Sequence, residues 1–216
     1  MSIALGVSAS LVLPGGLAQA SVPAGDQPAP HAAAKSKPKP PKLPRNFTGT
    51  GRYLVPDLDI DVPFTWNAKD GNTQMIAGGP KHRIWFTNLI YEGNFYTYTY
   101  KWPGVPPVAC TPIEGATLAG LNKAFAGSSY VGPEILQGRT PRAVDHWRLS
   151  AVLPDIRIPF GQADIYVDQD DRTTLWQLLH FGLQNLYDPN LDEWISMTSW
   201  QHKPGKVVLP KVCRGQ

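Results

Sequence analysis

The chain has 216 residues, and its 20 Lys and Arg against 17 Asp and Glu give a formal net charge of +3. The positive excess is confined to residues 21–45, which hold five basic side chains and one acidic one, so residues 46–216 carry a net charge of −1. A body without a positive excess has no charge with which to attract a polyanion, which excludes nucleic acid as its expected partner. Its many aromatic and apolar residues predict a folded, sheet-rich domain.

Residues 1–20 predict a secretory signal peptide. An uncharged apolar run over 3–13 is followed by a Pro-Gly-Gly breaker and then by Ala-Gln-Ala at 18–20, a small-x-small sequence that signal peptidases accept. The apolar run is too short to cross a bilayer, which requires about 20 apolar residues. We therefore expect a secreted, extracellular protein that is not transmembrane.

Residues 21–45 predict a disordered linker rich in Pro and Lys. Seven of these 25 residues are Pro and the segment has no apolar periodicity, which is typical of an extended spacer. Four Lys within eight residues allow a weak contact with an anionic surface, although a solvated linker explains them as well. At the edge of the linker, Asn46 begins an Asn-Phe-Thr sequon, which is a glycosylation site if the source is eukaryotic.

The body begins with alternating patterns that predict β-strands. Over residues 56–64, apolar side chains alternate with three Asp residues. Residues 81–91 carry large apolar groups on both faces, so we expect a strand that is covered on both sides. A Tyr-rich strand over residues 94–102 follows, and the turn at residues 92–94 joins these two strands as a hairpin.

The rest of the body predicts one helix and several further strands. Leu118, Leu121 and Phe125 recur at helical spacing within residues 112–127. Residues 186–204 fit either a short helix or irregular packing. Alternation predicts the remaining strands at residues 143–152, 161–168, 173–181 and 206–212.

These elements predict a single domain over residues 46–216. Antiparallel hairpins dominate, so the expected fold class is mainly β or α+β. We expect curved antiparallel sheets packed around an apolar pocket, with one or two short helices.

Cys110 and Cys213 are the only cysteines in the chain. In an exported protein, a lone pair of cysteines is most simply explained by one disulfide bond. A redox or zinc motif would require a second cysteine close to either residue, and the sequence has none there.

The aromatic strand residues have two interpretations. Aromatic side chains on strands most often fill a core. Alternatively, a curved sheet encloses an apolar cavity that holds a hydrophobic ligand. The candidate pocket residues are Trp85, Tyr96, Tyr98, Tyr100, Trp102, Trp147, Tyr166 and Trp176.

Acidic and imidazole side chains provide weaker candidates for chemistry. Asp168, Asp170 and Asp171 lie in a predicted turn and could bind Ca²⁺, although turn Asp residues are common without a metal. We expect no cofactor to be required. Five His residues are scattered along the chain, and a hydrolytic site that includes His146 or His180 stays open as an alternative.

The order of landmarks resembles the ependymin-related proteins. The resemblance covers residues 50–213 and rests on short segments of low individual specificity. These segments are the turn and Tyr-rich strand at 91–96 leading to Cys110, the helix at 118–125, Tyr130-Val131-Gly132, the strand at 144–147, and Pro210-Lys211-Val212-Cys213.

The resemblance implies two packed antiparallel sheets around a deep apolar pocket, as in bacterial lipoprotein carriers. It also implies a lipid-like ligand and allows calcium binding and homodimers. Typical members have additional cysteines, one of them in the region occupied here by residues 173–177. This departure puts the subfamily, and a vertebrate-type role in cell–matrix adhesion, in doubt.

The leading hypothesis is a secreted, non-enzymatic domain that binds a hydrophobic or amphipathic ligand in a β-sheet pocket. The first alternative is a structural adhesion domain at the cell surface or in the matrix. The second alternative is a secreted hydrolase whose site is assembled from His and Asp residues that are distant in sequence.

Overall fold

Eleven strands form one antiparallel sheet in the computed structural model, which describes residues 37–101, 110, 112–137, 140–149, 163–179 and 192–214. In chain order the strands are β1 (Phe47–Val55), β2 (Ile60–Lys69), β3 (Asn72–Gly78), β4 (Trp85–Tyr91), β5 (Asn94–Lys101), β6 (Ile113–Glu114), β7 (Ser129–Leu136), β8 (Arg142–Leu149), β9 (Ala163–Asp168), β10 (Leu175–Leu179) and β11 (Trp194–Gln201). One helix, α1 (Leu118–Ala126), separates β6 from β7. The predicted fold class, a mainly β antiparallel fold with a short helix, is confirmed.

Two meanders meet at the centre of the sheet, whose strand order is β6-β5-β4-β3-β2-β1-β11-β10-β9-β8-β7. Strands β1 to β6 extend towards one edge, and β7 to β11 return from the other edge until β11 pairs with β1. Two-residue turns with positive φ at both positions, Asp70-Gly71 (54° and 88°) and Glu92-Gly93 (48° and 81°), close the β2–β3 and β4–β5 hairpins. The hairpin predicted around residues 92–94 is therefore confirmed.

Helix α1 packs its apolar side against the sheet. The Thr117 hydroxyl caps its first turn by accepting a hydrogen bond from the Gly120 N–H at 2.9 Å. Leu118, Leu121 and Phe125 are buried on one side, as the helical spacing predicts. The helix is shorter than the predicted segment 112–127, since the backbone ahead of it contains a short strand and a left-handed glycine, Gly115 (φ 86°).

One face of the sheet, which we call the core face, carries the hydrophobic core together with α1 and Leu43. Alternation along the strands places their apolar residues on this face, and we call the opposite surface the outer face. The large core-face residues are Phe47, Tyr53, Phe64, Trp66, Met75, Phe86, Phe95, Trp147, Ile165, Leu178, Ile195 and Met197.

Residues 37–45 belong to the folded unit, which begins at Lys37. Leu43 is buried in the core, and the Arg172 guanidinium donates a hydrogen bond to the Pro40 carbonyl at 3.2 Å. The final part of the expected linker is therefore folded against the sheet. The predicted signal peptide and the rest of the linker lie outside the described residues.

The predicted disulfide between Cys110 and Cys213 is confirmed. The Cα atoms of the two cysteines lie 5.0 Å apart, and the two residues are separated by 103 positions in the sequence. Both side chains are buried, so the bond connects the C-terminal segment to the middle of the chain at an internal position.

Three predicted elements differ from the structure. Residues 56–58 form a 3-10 turn and Asp59 is left-handed (φ 50°), so the strand predicted over 56–64 begins only at Ile60. The described part of segment 186–204 contains a strand, β11, rather than a helix or irregular packing. Residues 206–210 have no regular structure and residues 211–213 form a 3-10 turn, where a strand was predicted. Among the described residues, no helix has the length and apolar character needed to cross a bilayer.

Candidate functional site

The core face contains a narrow cleft between the two meanders. It is too narrow to admit a water molecule. Five strands supply its walls, which consist of Tyr53, Phe64, Met75, Phe86, Asn88, Glu193 and Ile195, the Glu193 side chain lying just before β11. An apolar lining with a small number of polar groups is the usual composition of a site for a small hydrophobic ligand.

Asn88 is a polar residue on the apolar side of β4. It lies between Phe86 and Ile90, both members of the core, and its exposed fraction is 2%. Its Oδ1 accepts a hydrogen bond from the Thr97 hydroxyl on β5, whereas its Nδ2 has no hydrogen-bond partner among the residues that the structure describes. A buried amide N–H without a partner costs about 1–3 kcal/mol, so the cleft includes an unused hydrogen-bond donor.

Tyr53 and Glu193 place two further polar groups at the cleft. Tyr53 is 1% exposed on β1 and Glu193 is 1% exposed just before β11. Burial raises the pKa of Tyr53 well above its usual value, and the nearby Glu193 carboxylate raises that pKa further. The phenol is therefore protonated at physiological pH.

The predicted aromatic wall on β5 lies on the outer face. Phe95 and Thr99 of β5 are buried on the core side, so Tyr96, Tyr98 and Tyr100 point the other way. Tyr100 stacks on Trp85 with ring centroids 4.0 Å apart, and it meets Tyr98 edge to face at 4.2 Å. Four predicted pocket residues thus form one outer-face aromatic stripe, separated by the thickness of the sheet from the cleft.

The remaining predicted pocket residues are dispersed. Trp147 is part of the core, where it contacts Tyr130 at 5.1 Å between ring centroids. Tyr166 stacks on His146, and the Trp176 ring lies beneath the guanidinium of Arg142 at 3.7 Å. Trp102 lies outside the described residues. The seven predicted pocket residues that the structure describes are therefore not joined into one pocket.

The Arg142–Trp176 pair borders a second cavity of about 450 Å³, between the β7–β8 end of the sheet and β10–β11. Arg142 also donates a hydrogen bond to the Met197 carbonyl at 3.1 Å. The guanidinium is thus already engaged by the protein on the side that faces this cavity.

The acidic turn between β9 and β10 uses its carboxylates to fix its own backbone. Asp168 Oδ1 accepts the N–H groups of Asp170 and Asp171, and Asp168 Oδ2 accepts the indole N–H of Trp176 at 3.2 Å. Within the described ranges, no three His, Cys, Asp or Glu residues are grouped so that they could hold a metal ion. The predicted turn is present, and these hydrogen bonds account for the position of Asp168 without a cation.

Asp171 has a low pKa because the same turn supplies donors to its carboxylate. Burial raises the pKa of Asp171, but hydrogen bonds from Thr173, Thr174 and His202 outweigh burial and hold it at about 2. His202 Nε2 lies 2.8 Å from Asp171 Oδ2 and 3.2 Å from the Thr174 hydroxyl. A hydrolytic relay requires the nucleophile and the carboxylate at opposite ring nitrogens, whereas here both groups contact Nε2.

His146 lies between two carboxylates on the outer face of β8. Its Nδ1 is 2.6 Å from Glu134 of β7, and its Nε2 is 2.8 Å from Asp164 of β9, which also accepts a hydrogen bond from Arg148 at 2.9 Å. Two ionised carboxylates are both satisfied only when both ring nitrogens carry protons. With both nitrogens occupied by carboxylates, neither is left to activate a hydroxyl, so this cluster has the form of an ion network that connects three strands.

Asn46 is half-buried at the start of β1. Its Oδ1 accepts a hydrogen bond from the Asp70 N–H at 2.9 Å, which connects the segment before β1 to the β2–β3 turn. The glycosylation prediction depends on the source organism and stays a prediction.

Sequence reasoning missed Tyr53, Asn88 and Glu193 as site residues. Tyr53 lies on β1, which was not predicted as a strand. Asn88 did carry a signal, because it is a polar residue at a position where alternation expects an apolar one.

Comparison with known proteins gives no family assignment, since no family model matches the chain and no curated protein matches it.

Proposed function

We propose that this protein is an exported, non-enzymatic domain that binds a single-chain amphiphile in the cleft on its core face. The observation that carries the proposal is the cleft itself, where apolar walls from Phe64, Met75 and Phe86 surround the buried donor of Asn88. Apolar walls bind a hydrocarbon chain without directionality, and a few fixed polar groups orient its polar end.

The disulfide supports export. Disulfide bonds persist in oxidising compartments and are rare in the cytosol, and the Cys110–Cys213 bond is internal. The resemblance to ependymin-related proteins, which implies a lipid-like ligand, points in the same direction.

The cleft must widen when a ligand binds. Ligand sites commonly have volumes of about 300–1,000 Å³, whereas the cleft does not have room for a water molecule. Met75 lines it and has an unbranched, flexible side chain that can move between rotamers. We therefore expect binding to be accompanied by side-chain rearrangement around Met75.

Titration with a fluorescent fatty acyl probe tests the proposal. Met75→Trp should fill the cleft and weaken probe binding at least tenfold, whereas Ile76→Trp, on the outer face of the same strand, should leave the affinity unchanged. Circular dichroism establishes that both variants are folded. Absence of saturable binding to the wild-type protein, or equal binding by the two folded variants, would contradict the proposal.

A further inference from the structure

Two buried polar groups lie side by side on the core face without hydrogen-bond partners. Within the described part of the chain, Asn88 Nδ2 on β4 and Thr99 Oγ1 on β5 make no hydrogen bond, although the two residues are only 2% and 0% exposed. Asn88 pairs with Thr97 and Phe86 pairs with Thr99, so Asn88 and Thr99 are diagonal neighbours. Such neighbours lie about 7 Å apart, which one small polar group can span.

These two unpaired groups do not stabilise the folded protein when the cleft is empty. Most buried polar groups in proteins are paired, and an unpaired one retains the cost of its lost hydration. Water cannot supply the missing hydrogen bond inside the cleft, because the cleft does not admit a water molecule. An apolar residue at either position would avoid the cost altogether.

The orientation of the Asn88 side chain is fixed by β5. The Thr97 hydroxyl donates to Asn88 Oδ1, which leaves Nδ2 as the unpaired group of a side chain that lines the cleft. Asn88 therefore presents a donor, and Thr99 presents a hydroxyl that can donate or accept.

We propose that Asn88 and Thr99 recognise the polar end of the ligand, and that this end is an acyl carbonyl, as in a fatty acid or its ester. This inference rests on the proposed function and adds the ligand's chemical class. The Asn88 N–H groups donate to the carbonyl oxygen, and the Thr99 hydroxyl donates to the second oxygen of the acyl group. A pure hydrocarbon cannot form a hydrogen bond with either group, so both groups stay unpaired and do not contribute to its affinity.

Two near-isosteric variants separate recognition from a structural role. Asn88→Leu and Thr99→Val each remove the unpaired group while keeping the approximate shape. If the groups serve a ligand, both variants bind an ester more weakly, and the empty Thr99→Val protein is at least as stable as the wild type. Thr65→Val, on the outer face of β2, is the matched control and should alter neither property.

The test measures the affinities of methyl dodecanoate and pentadecane, which have equal numbers of non-hydrogen atoms, by displacement of a polarity-sensitive dye. Asn88→Leu should weaken ester binding about tenfold, equivalent to about 1.4 kcal/mol, and should leave pentadecane binding unchanged. Thr99→Val should weaken ester binding severalfold, and urea unfolding of the empty protein should show no loss of stability.

Three results would overturn the inference. If the wild type and both variants bind the ester with equal affinity, Asn88 and Thr99 do not take part in ligand recognition. Parallel loss of ester and pentadecane binding in Thr99→Val, or a marked loss of its stability when empty, shows that the groups are structural. Failure of the wild type to bind either compound contradicts the proposed function itself, and the two failures are thereby distinguished.

Discussion

Leu43 and Asn122 form a reciprocal pair that fastens the segment before β1 to helix α1. The Leu43 N–H donates to Asn122 Oδ1 at 2.7 Å, and Asn122 Nδ2 donates to the Leu43 carbonyl at 2.9 Å. The two residues are 79 positions apart, and Leu43 inserts its side chain into the core. The folded unit therefore starts well before the first strand.

Asn122→Ala should lower the free energy of unfolding by about 1–3 kcal/mol, because it leaves both backbone groups of a buried residue without partners. Lys42→Ala is the control, since the Lys42 side chain is exposed and the substitution keeps the backbone N–H, which donates to the Arg172 carbonyl. Urea unfolding measures both variants. Equal midpoints would show that residues 37–45 contribute nothing to the fold.

The stability of the protein should depend on pH through Asp171. Its pKa is about 2 in the folded state, against about 3.9 in an unfolded chain. The folded state thus binds protons more weakly, so the stability from this carboxylate is complete above about pH 4 and is lost as the pH falls towards 2. Asp171→Asn should flatten the fall of the urea midpoint between pH 4 and pH 2.

Asp170→Asn is the control for this titration, because Asp170 contributes its backbone N–H rather than its carboxylate to the turn. It should retain the wild-type pH dependence. An Asp171→Asn profile that is as steep as the wild-type profile would assign the acid sensitivity to other groups.

His146→Phe should destabilise the protein by about 2–3 kcal/mol, since it keeps the ring on Tyr166 but removes both hydrogen bonds to carboxylates. Asp164, with a side chain 7% exposed, would lose its contact with the imidazole and keep its contact with Arg148. Glu134→Gln should cost less than about 1 kcal/mol, because the Glu134 side chain is 44% exposed. Thermal unfolding compares the variants, and equal losses would contradict a network centred on His146.

Replacing both Cys110 and Cys213 by Ser should lower stability by about 4–5 kcal/mol, as the chain-entropy estimate gives for a loop of about 100 residues. Urea unfolding of the variant and of the reduced wild type should give matching midpoints. A variant as stable as the oxidised wild type would show that the bond does not constrain the unfolded chain.

The sequence predicted the hairpin of β4 and β5, the helix and the disulfide because each depends on local or unique residues. It failed at β11 for a physical reason. Ile195 and Met197 alternate onto the core face, but Thr198 is an extra residue opposite the Thr50–Gly51 step, so Trp200 returns to the core out of phase. Because of this bulge, the spacing of apolar residues along β11 matches neither the alternation of a regular strand nor the period of a helix.

The aromatic stripe on β5 was identified correctly as one face, but the choice between faces depends on distant partners. Phe95 and Thr99 face α1 and the other core strands, so the tyrosines face outward. The cleft combines residues from the four consecutive strands β1 to β4, of which β1 was not predicted, with residues of the distant β11 region. Local alternation could mark Asn88 as a polar exception, but only the assembled sheet brings Asn88 next to Met75 and Thr99 next to Phe86.

Photolabelling locates the ligand and tests the central claim most directly. The probe is a dodecanoyl ester with a diazirine at the end of its chain, and mass spectrometry of protein fragments identifies the modified residues. The account predicts saturable labelling of core-face residues around the cleft, such as Met75, Phe86 and Ile195, which excess methyl dodecanoate suppresses. Labelling confined to the outer-face stripe of Trp85, Tyr96, Tyr98 and Tyr100, or labelling that does not saturate, would contradict it.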